Sequence, residues 1–491
     1  MADLDGTQPA DGRVETGRVP WAALLPLGDE TPLLAVGLAP GELLRLAMFW
    51  PRIRVCAPER AAAESLMRHV TVVAPRCRFE PIGWSEALGS GYQALAIGTG
   101  LAGPGAPEAA RDLVGPGGAA VWSGTRRAVP GRTRLLQAGF GSVRRHALLP
   151  PSRPKLAIPL GTGKAARAGL ALYTPGKWRN RTASRLAWLA SAAGLQGFMG
   201  RRLAVTARKP GAAVAGAYLL DWLSQAVARD VGDAAVYVGE EKLTLQLLDE
   251  ASEACGIAKL AETAQAAERL AHEAAALTHL AGAAELRSMV PALVASAEWH
   301  GHRVTVQTGV GTGLRRYATA PTPAHMQFLL AMSRTDRREG RLEDWPLWPA
   351  VLRWSGAAGQ PRVEDAASVR EAVQRSRDVL GSVRVPFHRV HGDFAPWNIV
   401  LCARGLTVVD WEASQQAGLP LFDLVHFAVR VGRLIKGRAL SLPGLLAGGP
   451  AALGVGREIA ALAASFGYTP EQTDALVRLC LIAEAMERAT R

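Results

Sequence analysis

His391-Gly392-Asp393-Phe394-Ala395-Pro396-Trp397-Asn398, followed twelve residues after the asparagine by Asp410-Trp411-Glu412, is the stretch that decides how this chain is read. It supplies one carboxylate, Asp393, that can orient a hydroxyl, and then an amide and a second carboxylate, Asn398 and Asp410. Magnesium is a hard cation that takes oxygen ligands and usually binds through one or two protein groups plus substrate phosphates, and Asn398 with Asp410 form such a pair. The apolar run Leu406-Thr407-Val408-Val409 predicts a short buried strand that delivers Asp410 at its end, with Ile399-Val400-Leu401 as its hairpin partner. The candidate ligands are therefore expected on rigid elements.

This constellation resembles the catalytic loop and metal-binding aspartate of the protein-kinase-like phosphotransferases. The pattern is that of the aminoglycoside phosphotransferase and choline kinase branch, in which H-G-D is followed by an asparagine five residues on and later by D-W/F-E/D. The resemblance implies that Asp393 accepts or orients the acceptor hydroxyl, that Asn398 and Asp410 ligate magnesium bridging the phosphates of ATP, and that His391 braces the loop. Asp423, in Leu421-Phe422-Asp423-Leu424, matches a family aspartate that anchors the catalytic loop from the next helix.

A phosphate-binding cation and a carboxylate to hold it are then expected upstream. Ala254-Cys255-Gly256-Ile257-Ala258-Lys259-Leu260 parallels the kinase V-A-I-K strand and nominates Lys259. Glu273 lies beside the apolar stripe of the helical pattern Thr263 to Leu280 and is the candidate partner, with Glu268 as its rival. The strand-like segments Ala235–Val238 and Lys242–Leu248 are joined by Gly239-Glu240-Glu241, where a protein kinase has three glycines over the phosphates. Gly239 is the candidate cofactor-binding residue of a reduced loop of the kind the smaller branch often has, although alone it cannot cradle phosphate with successive backbone amides in the same way. Gln307 to Gly313, after the strand Arg303 to Val306, fits the hinge that would receive adenine.

The N-terminal third alternates short apolar strands with helical spans, which predicts a parallel sheet. Expected strands are Pro32 to Leu38, Arg52 to Cys56, Tyr92 to Ile97 and the segment ending at Trp122. The order resembles a Rossmann-like methyltransferase over about residues 30 to 150, carried by Gly115-Pro116-Gly117-Gly118 and Ala138-Gly139-Phe140. The first glycine loop keeps only Gly37 and Gly41, and the acidic residue expected at the end of the second strand is displaced to Glu59. These departures favour a degenerate domain and argue against S-adenosylmethionine as a cofactor. Gly161-Thr162-Gly163-Lys164 lacks the earlier glycine and the following Ser/Thr of a P-loop and is assigned no nucleotide.

The fold class expected is multidomain, α/β plus α+β: an N-terminal Rossmann-like parallel-sheet domain, a basic connector, and a C-terminal two-lobed protein-kinase-like domain. The boundaries read as a mobile start 1–29, the Rossmann-like part 30–152, the connector 153–232, an N-lobe 233–315 and a C-lobe 316–491, consistent with the several domains that 491 residues allow.

Charge is unevenly spread. From Leu113 to Leu220 there is no Asp or Glu against eighteen Lys and Arg, so this stretch carries +18 of a net +13 and the rest sums to −5. So one-sided a block points to an anionic partner, and residues 126–209 are the candidate contact for an anionic membrane or glycan. Within it, Lys177-Trp178-Arg179-Asn180-Arg181 leads into Leu186, Trp188, Leu189, Leu195, Phe198 and Met199. A basic helix with tryptophan and leucine can lie in an anionic membrane surface, or its apolar face can pack on a neighbouring domain. No helix-turn-helix, zinc-ligand or RNA-binding aromatic signature accompanies the charge, which argues against nucleic acid.

No apolar run reaches the length of a transmembrane helix and no signal peptide is evident, and the five cysteines, Cys56, Cys77, Cys255, Cys402 and Cys480, show no paired or metal-binding spacing. A cytoplasmic protein with reduced thiols is expected, with peripheral membrane contact as an extension. Between Leu424 and Arg457 there is no acid, while Arg430, Arg433, Lys436, Arg438 and Arg457 are present. A cationic acceptor would call for carboxylates or an aromatic cage, so the expected acceptor is a neutral or anionic hydroxyl compound, a sugar or glycan intermediate rather than an aminoglycoside. The leading expectation is an ATP- and magnesium-dependent small-molecule kinase. The alternatives are a catalytically weak kinase-like and methyltransferase-like scaffold, and a methyltransferase with an accessory kinase-like domain.

Overall fold

The computed structural model describes residues 18–27, 32–57, 60–71, 74, 77–88, 90–98, 105–172, 178–212, 216–310, 318–356, 363–402, 405–438 and 440–490. The polar start at 1–17, Glu59, Lys177 and the hinge residues 311–313 lie outside them. The chain forms two compact units, one drawn from 1–174, 182–270 and 294–314 and the other from 175–181, 271–293 and 315–491.

The first unit is built on one sheet of thirteen strands. In chain order these are β1 (Leu33–Val36), β2 (Arg52–Ala57), β3 (Arg78–Gly83), β4 (Tyr92–Ile97), β5 (Val114–Thr125), β6 (Ser142–Leu149), β7 (Leu156–Pro159), β8 (Arg202–Arg208), β9 (Val231–Val238), β10 (Lys242–Asp249), β11 (Ala254–Ala261), β12 (Leu293–Trp299) and β13 (His302–Gln307). Read across, the order is β3-β2-β1-β4-β5-β8-β6-β7-β9-β10-β11-β13-β12. The first five follow the 3-2-1-4-5 order of a doubly wound sheet and pair in parallel. β8 enters antiparallel between β5 and β6.

Strand β3 is not evident in the sequence pattern because its Arg-Phe-Glu-Pro-Ile-Gly carries a proline, which a sheet tolerates at an edge, and β3 is the edge. The stretch 153–232, read as a connector, supplies β7 and β8. β7 then pairs antiparallel with β9 through Leu156↔Tyr237 and Ala157↔Val236, and Val238 N–H donates to the Lys155 carbonyl at 2.7 Å. Open sheets rarely pass about ten strands; this one does so because two sheets meet at that short seam. They also share a hydrophobic core, in which Leu33, Leu43, Leu46 and Trp50 pack with Leu243, Leu245, Leu260, Val304 and Val306. Where the doubly wound order reverses, β1 and β4 end in close contact: a Cβ on Gly98 would lie 2.1 Å from the Gly37 carbonyl oxygen, so only glycine fits.

The second unit is mostly helical. Helices Pro323–Met332, Val363–Leu380, Phe422–Arg430, Leu442–Leu453 and Pro470–Thr490 enclose the strand Val385–Val390, which pairs antiparallel with Arg338–Gly340 and Gln415–Gly418. The hairpin Ile399–Cys402 with Gly405–Val408 forms with Ile399↔Val408 and Leu401↔Leu406 opposite each other. Phe394 anchors the loop of interest in this core: its ring stacks on Phe328 at 5.4 Å and meets Phe427 at 6.1 Å.

Candidate active site

The loop after strand Val385–Val390 turns sharply at Gly392, whose φ is 81°. A Cβ there would sit 2.1 Å from the Ala413 carbonyl oxygen, so the position admits only glycine. Asp423, in the first turn of helix Phe422–Arg430 and 4% exposed, holds the turn from behind. Its two carboxylate oxygens accept the backbone N–H groups of His391 at 2.8 Å and Gly392 at 3.1 Å. His391 is fully buried and edge-on to Trp411 at 4.6 Å. Its Nδ1 accepts the Asp393 N–H at 3.2 Å, which leaves Nε2 to donate to the Val409 carbonyl at 3.0 Å. One ring thus ties the loop to the residue preceding Asp410.

Asp393 is reached from both sides. Asn398 Nδ2 donates to its Oδ2 at 3.0 Å and to its carbonyl at 2.9 Å. On the other oxygen, Oδ1, lie His426 Nε2 at 3.0 Å and the Arg430 guanidinium at 3.9 Å. Arg430 Nε also points at His426 Nε2, at 3.1 Å. A single ring nitrogen either donates to Asp393 or accepts from Arg430, so the tautomer of His426 decides which of the two it serves. Burial works to raise the Asp393 pKa, but the hydrogen bond and charge of His426, with His391 and Arg430, outweigh it and hold the carboxyl below its ordinary value.

Asn398 and Asp410 are linked through the backbone, Val409 N–H donating to the Asn398 carbonyl at 2.9 Å. Because the Asn398 amide nitrogen is committed to Asp393, its Oδ1 is the atom left for a cation. Asp410 is half-buried with φ 69°, a left-handed conformation that strains a non-glycine residue and that aspartate tolerates better than most. Two oxygen donors of this kind fit magnesium held partly by phosphate. Among the described residues no group of three or more His, Cys, Asp or Glu forms a metal cage.

Glu273, on helix Ala264–Leu280, is fully buried, and its Oε1 accepts the backbone N–H of Trp411 at 3.1 Å. It therefore supports the residue after Asp410 directly. Lys259 belongs to the first unit, 6% exposed on β11 and in register with Thr244 and Thr305.

The turn after β9 is closed by Gly239 N–H donating to the Lys242 carbonyl at 2.9 Å. Arg45, from the helix Pro40–Leu46, reaches it: NH2 donates to the Gly239 carbonyl and NH1 to the Glu240 carbonyl, each at 3.3 Å. A trans peptide points its carbonyl and the next N–H in opposite directions, so this grip turns the amides of Glu240 and Glu241 away from Arg45. Arg45 itself is 3% exposed and paired with Glu262, just past β11, through Nε at 2.7 Å and through NH2. Burial pushes the Glu262 carboxyl up to about 7, with Arg45 pulling it back.

The structure thus brings Asp393, Asn398, His391 and Asp423 into one hydrogen-bonded cluster, with Asp410 joined through Val409 and Glu273 through Trp411. Sequence reasoning missed His426, Arg45 and Glu262. His426 had a legible signal, three residues after Asp423 and so on the same side of its helix. For Arg45 and Glu262 the partners lie 194 to 217 residues apart, beyond any spacing rule.

The clamped H-G-D loop, with Asn398 and Asp410 beside it, can position a hydroxyl and offer two oxygens to a cation, and Lys259 stands on a strand of the other unit. Residues 238–459 match the profile of the phosphotransferase enzyme family, a span that holds every one of these groups and is less than half of the chain. No curated protein sequence matches this chain. Among solved structures, a thermostable mutant of aminoglycoside phosphotransferase APH(4)-Ia, in ternary complex with ADP and hygromycin B, is 14% identical, covering 54% of this chain and 98% of its own with a TM-score of 0.31. Aminoglycoside phosphotransferase APH(3'')-Id from Streptomyces rimosus is 14% identical over 53% of this chain and 97% of its own, with a TM-score of 0.30. WbdD, co-crystallised with a kinase inhibitor, is 12% identical over 93% of this chain and 84% of its own, with a TM-score of 0.25.

Proposed function

We propose that the chain is an ATP- and magnesium-dependent phosphotransferase that passes the γ-phosphate to a hydroxyl of a small molecule, of the sugar or glycan-intermediate class. The observation that carries this reading is the Asp393 carboxylate, kept ionised and oriented between Asn398 and His426 on a loop clamped by Asp423. An aspartate so held aligns an acceptor hydroxyl and takes its proton as the O–P bond forms. Asn398 Oδ1 and Asp410 are assigned to magnesium, which when bound offsets the charge of the phosphates. Lys259 and the turn at Gly239, whose Glu240 and Glu241 amides face away from Arg45, are assigned to phosphate, Glu273 to the Asp410 turn, and His391 and Asp423 to the loop.

The acceptor class follows from charge. Helix Phe422–Arg430 places Arg430 beside Asp393, and no acid occurs from Leu424 to Arg457. A polycationic acceptor would meet like charge there, whereas a neutral or anionic sugar would not. The N-terminal sheet is assigned a supporting part, through Arg45, and no methyl transfer.

Calorimetric titration with a non-hydrolysable ATP analogue, with and without magnesium, on the wild type and on Asp410→Ala, tests the assignment. Binding that needs both magnesium and Asp410 is the expected result. Absence of binding under every condition would overturn it and favour a scaffold.

A further inference from the structure

We propose that the helix end and turn from Arg185 to Arg201 form a docking surface for an anionic lipid membrane. Ten large hydrophobic residues are exposed among the described ones, and four of them fall in this one short segment: Leu186 at 62%, Leu189 at 59%, Leu195 at 50% and Phe198 at 82%. Singly exposed leucines are ordinary, but a cluster led by a nearly bare phenylalanine marks an interaction site.

The segment is built to hold these side chains out. Helix Trp178–Ala192 ends in a two-bond C-terminal cap at Gly194, φ 76°: Leu195 N–H donates to the Ala190 carbonyl at 2.8 Å and Gly194 N–H to the Ser191 carbonyl at 3.3 Å. Ser191 Oγ, on the inner face, donates to the Ala187 carbonyl at 2.8 Å and meets Met199 Sδ at 3.1 Å. Arg126 closes the turn from the neighbouring strand end, donating to the carbonyls of Gly197 at 2.5 Å, Met199 at 3.0 Å and Gly200 at 3.3 Å. Met199 is thereby buried at 8% while Phe198, its neighbour, projects. On the helix, Ala187 and Trp188 pack inward with Leu170 and Ile158, which leaves Leu186 and Leu189, three residues apart, on the outer side.

Charge selects the occupant. Arg127, Arg185 and Arg201 are exposed around this segment, inside the stretch of +18 that has no acid from Leu113 to Leu220. A second copy of the chain would bring like charge against like. Nucleic acid would satisfy the arginines and leave three leucines uncovered. An anionic bilayer satisfies both, taking the apolar tips below its headgroups and the arginines at the phosphates.

The full-length protein should co-float with vesicles of phosphatidylcholine containing one-third phosphatidylglycerol and much less with phosphatidylcholine alone. The double variant Leu189→Ser/Phe198→Ser should lose at least tenfold in vesicle affinity at unchanged Tm, since both side chains are exposed. Arg127→Gln/Arg185→Gln/Arg201→Gln should lose the preference for the anionic lipid. Failure to float with either vesicle overturns the proposal, as does binding that survives the double variant. So does a dimer, or an RNA mobility shift, that the double variant abolishes while vesicles go unbound. None of these readouts depends on phosphotransfer.

Discussion

The loop at 391–398 and the turn at 239–241 are both assigned to phosphate chemistry, and they are held in opposite ways. The loop is secured by its own surroundings: Asp423 on the next helix, His391 within the loop, Asn398 five residues on. The turn carries one glycine and two acids and is secured by Arg45, from a helix near the start of the chain. A site whose supports are local shows as a motif. A site whose support is distant shows as a defect, here as a glycine-rich loop that is missing its glycines. The grip of Arg45 offers a reason the glycines are dispensable, because peptide orientation set by a buried guanidinium replaces orientation set by backbone freedom.

The strongest way to break the comparison is at the loop. Asp393→Asn should lower turnover by about a thousandfold, the scale of a lost general base, and leave nucleotide affinity nearly unchanged; steady-state kinetics alongside calorimetry would separate the two. Next, Asp423→Ala strands two buried N–H groups and removes a charge-assisted contact, so urea unfolding should report a loss of about 4 kcal/mol. Asp393→Asn should show no comparable loss. If both variants unfolded alike, the division between a chemical and a supporting aspartate would fail.

Acid should move the two regions in opposite directions. His325, buried against Phe394 and Phe427, has its pKa lowered to about 4 by desolvation. The unfolded chain binds a proton near its ordinary 6.5 that the folded chain refuses, so this contribution is intact above pH 6.5 and lost as pH falls through 4. Glu262 is the reverse: with a folded pKa of about 7 against an ordinary 4.5, it favours the folded state below pH 4.5 and loses that favour as pH rises through 7. Each is worth about 3 kcal/mol over its range by linkage. Unfolding of His325→Gln and Glu262→Gln across pH 4 to 7.5 should flatten the dependence in opposite senses; a shared sign would refute the contrast.

The smallest effect is expected at the turn. Arg45→Met leaves Glu262 without its cation, but a carboxyl already pushed up to about 7 can take a proton, so the loss should stay at about 2 kcal/mol rather than the full cost of a broken buried pair. The KM for ATP should rise about tenfold with kcat retained, the pattern of lost uniform binding. An unchanged KM in an enzyme that binds ATP would show that the turn does not need Arg45.

Several parts of this molecule were readable from residue order alone. The hairpin between Asn398 and Asp410 follows from two short apolar runs, and the loop glycine and the anchoring Asp423 were legible through the family motif that they match. β3 escaped because a proline hides an edge strand, and β7 and β8 because a run dense in arginine masks two short apolar segments. What the sequence by itself determined is local: periodicity, turn chemistry and short-range ligand spacing, all set by interactions among near neighbours. Tertiary structure alone decided that two sheets join at Leu156↔Tyr237, that His426 and Arg430 flank Asp393, and that Arg45 grips Gly239 and Glu262. Those contacts depend on which surfaces meet once the core is buried, and residue spacing along the chain carries no record of that.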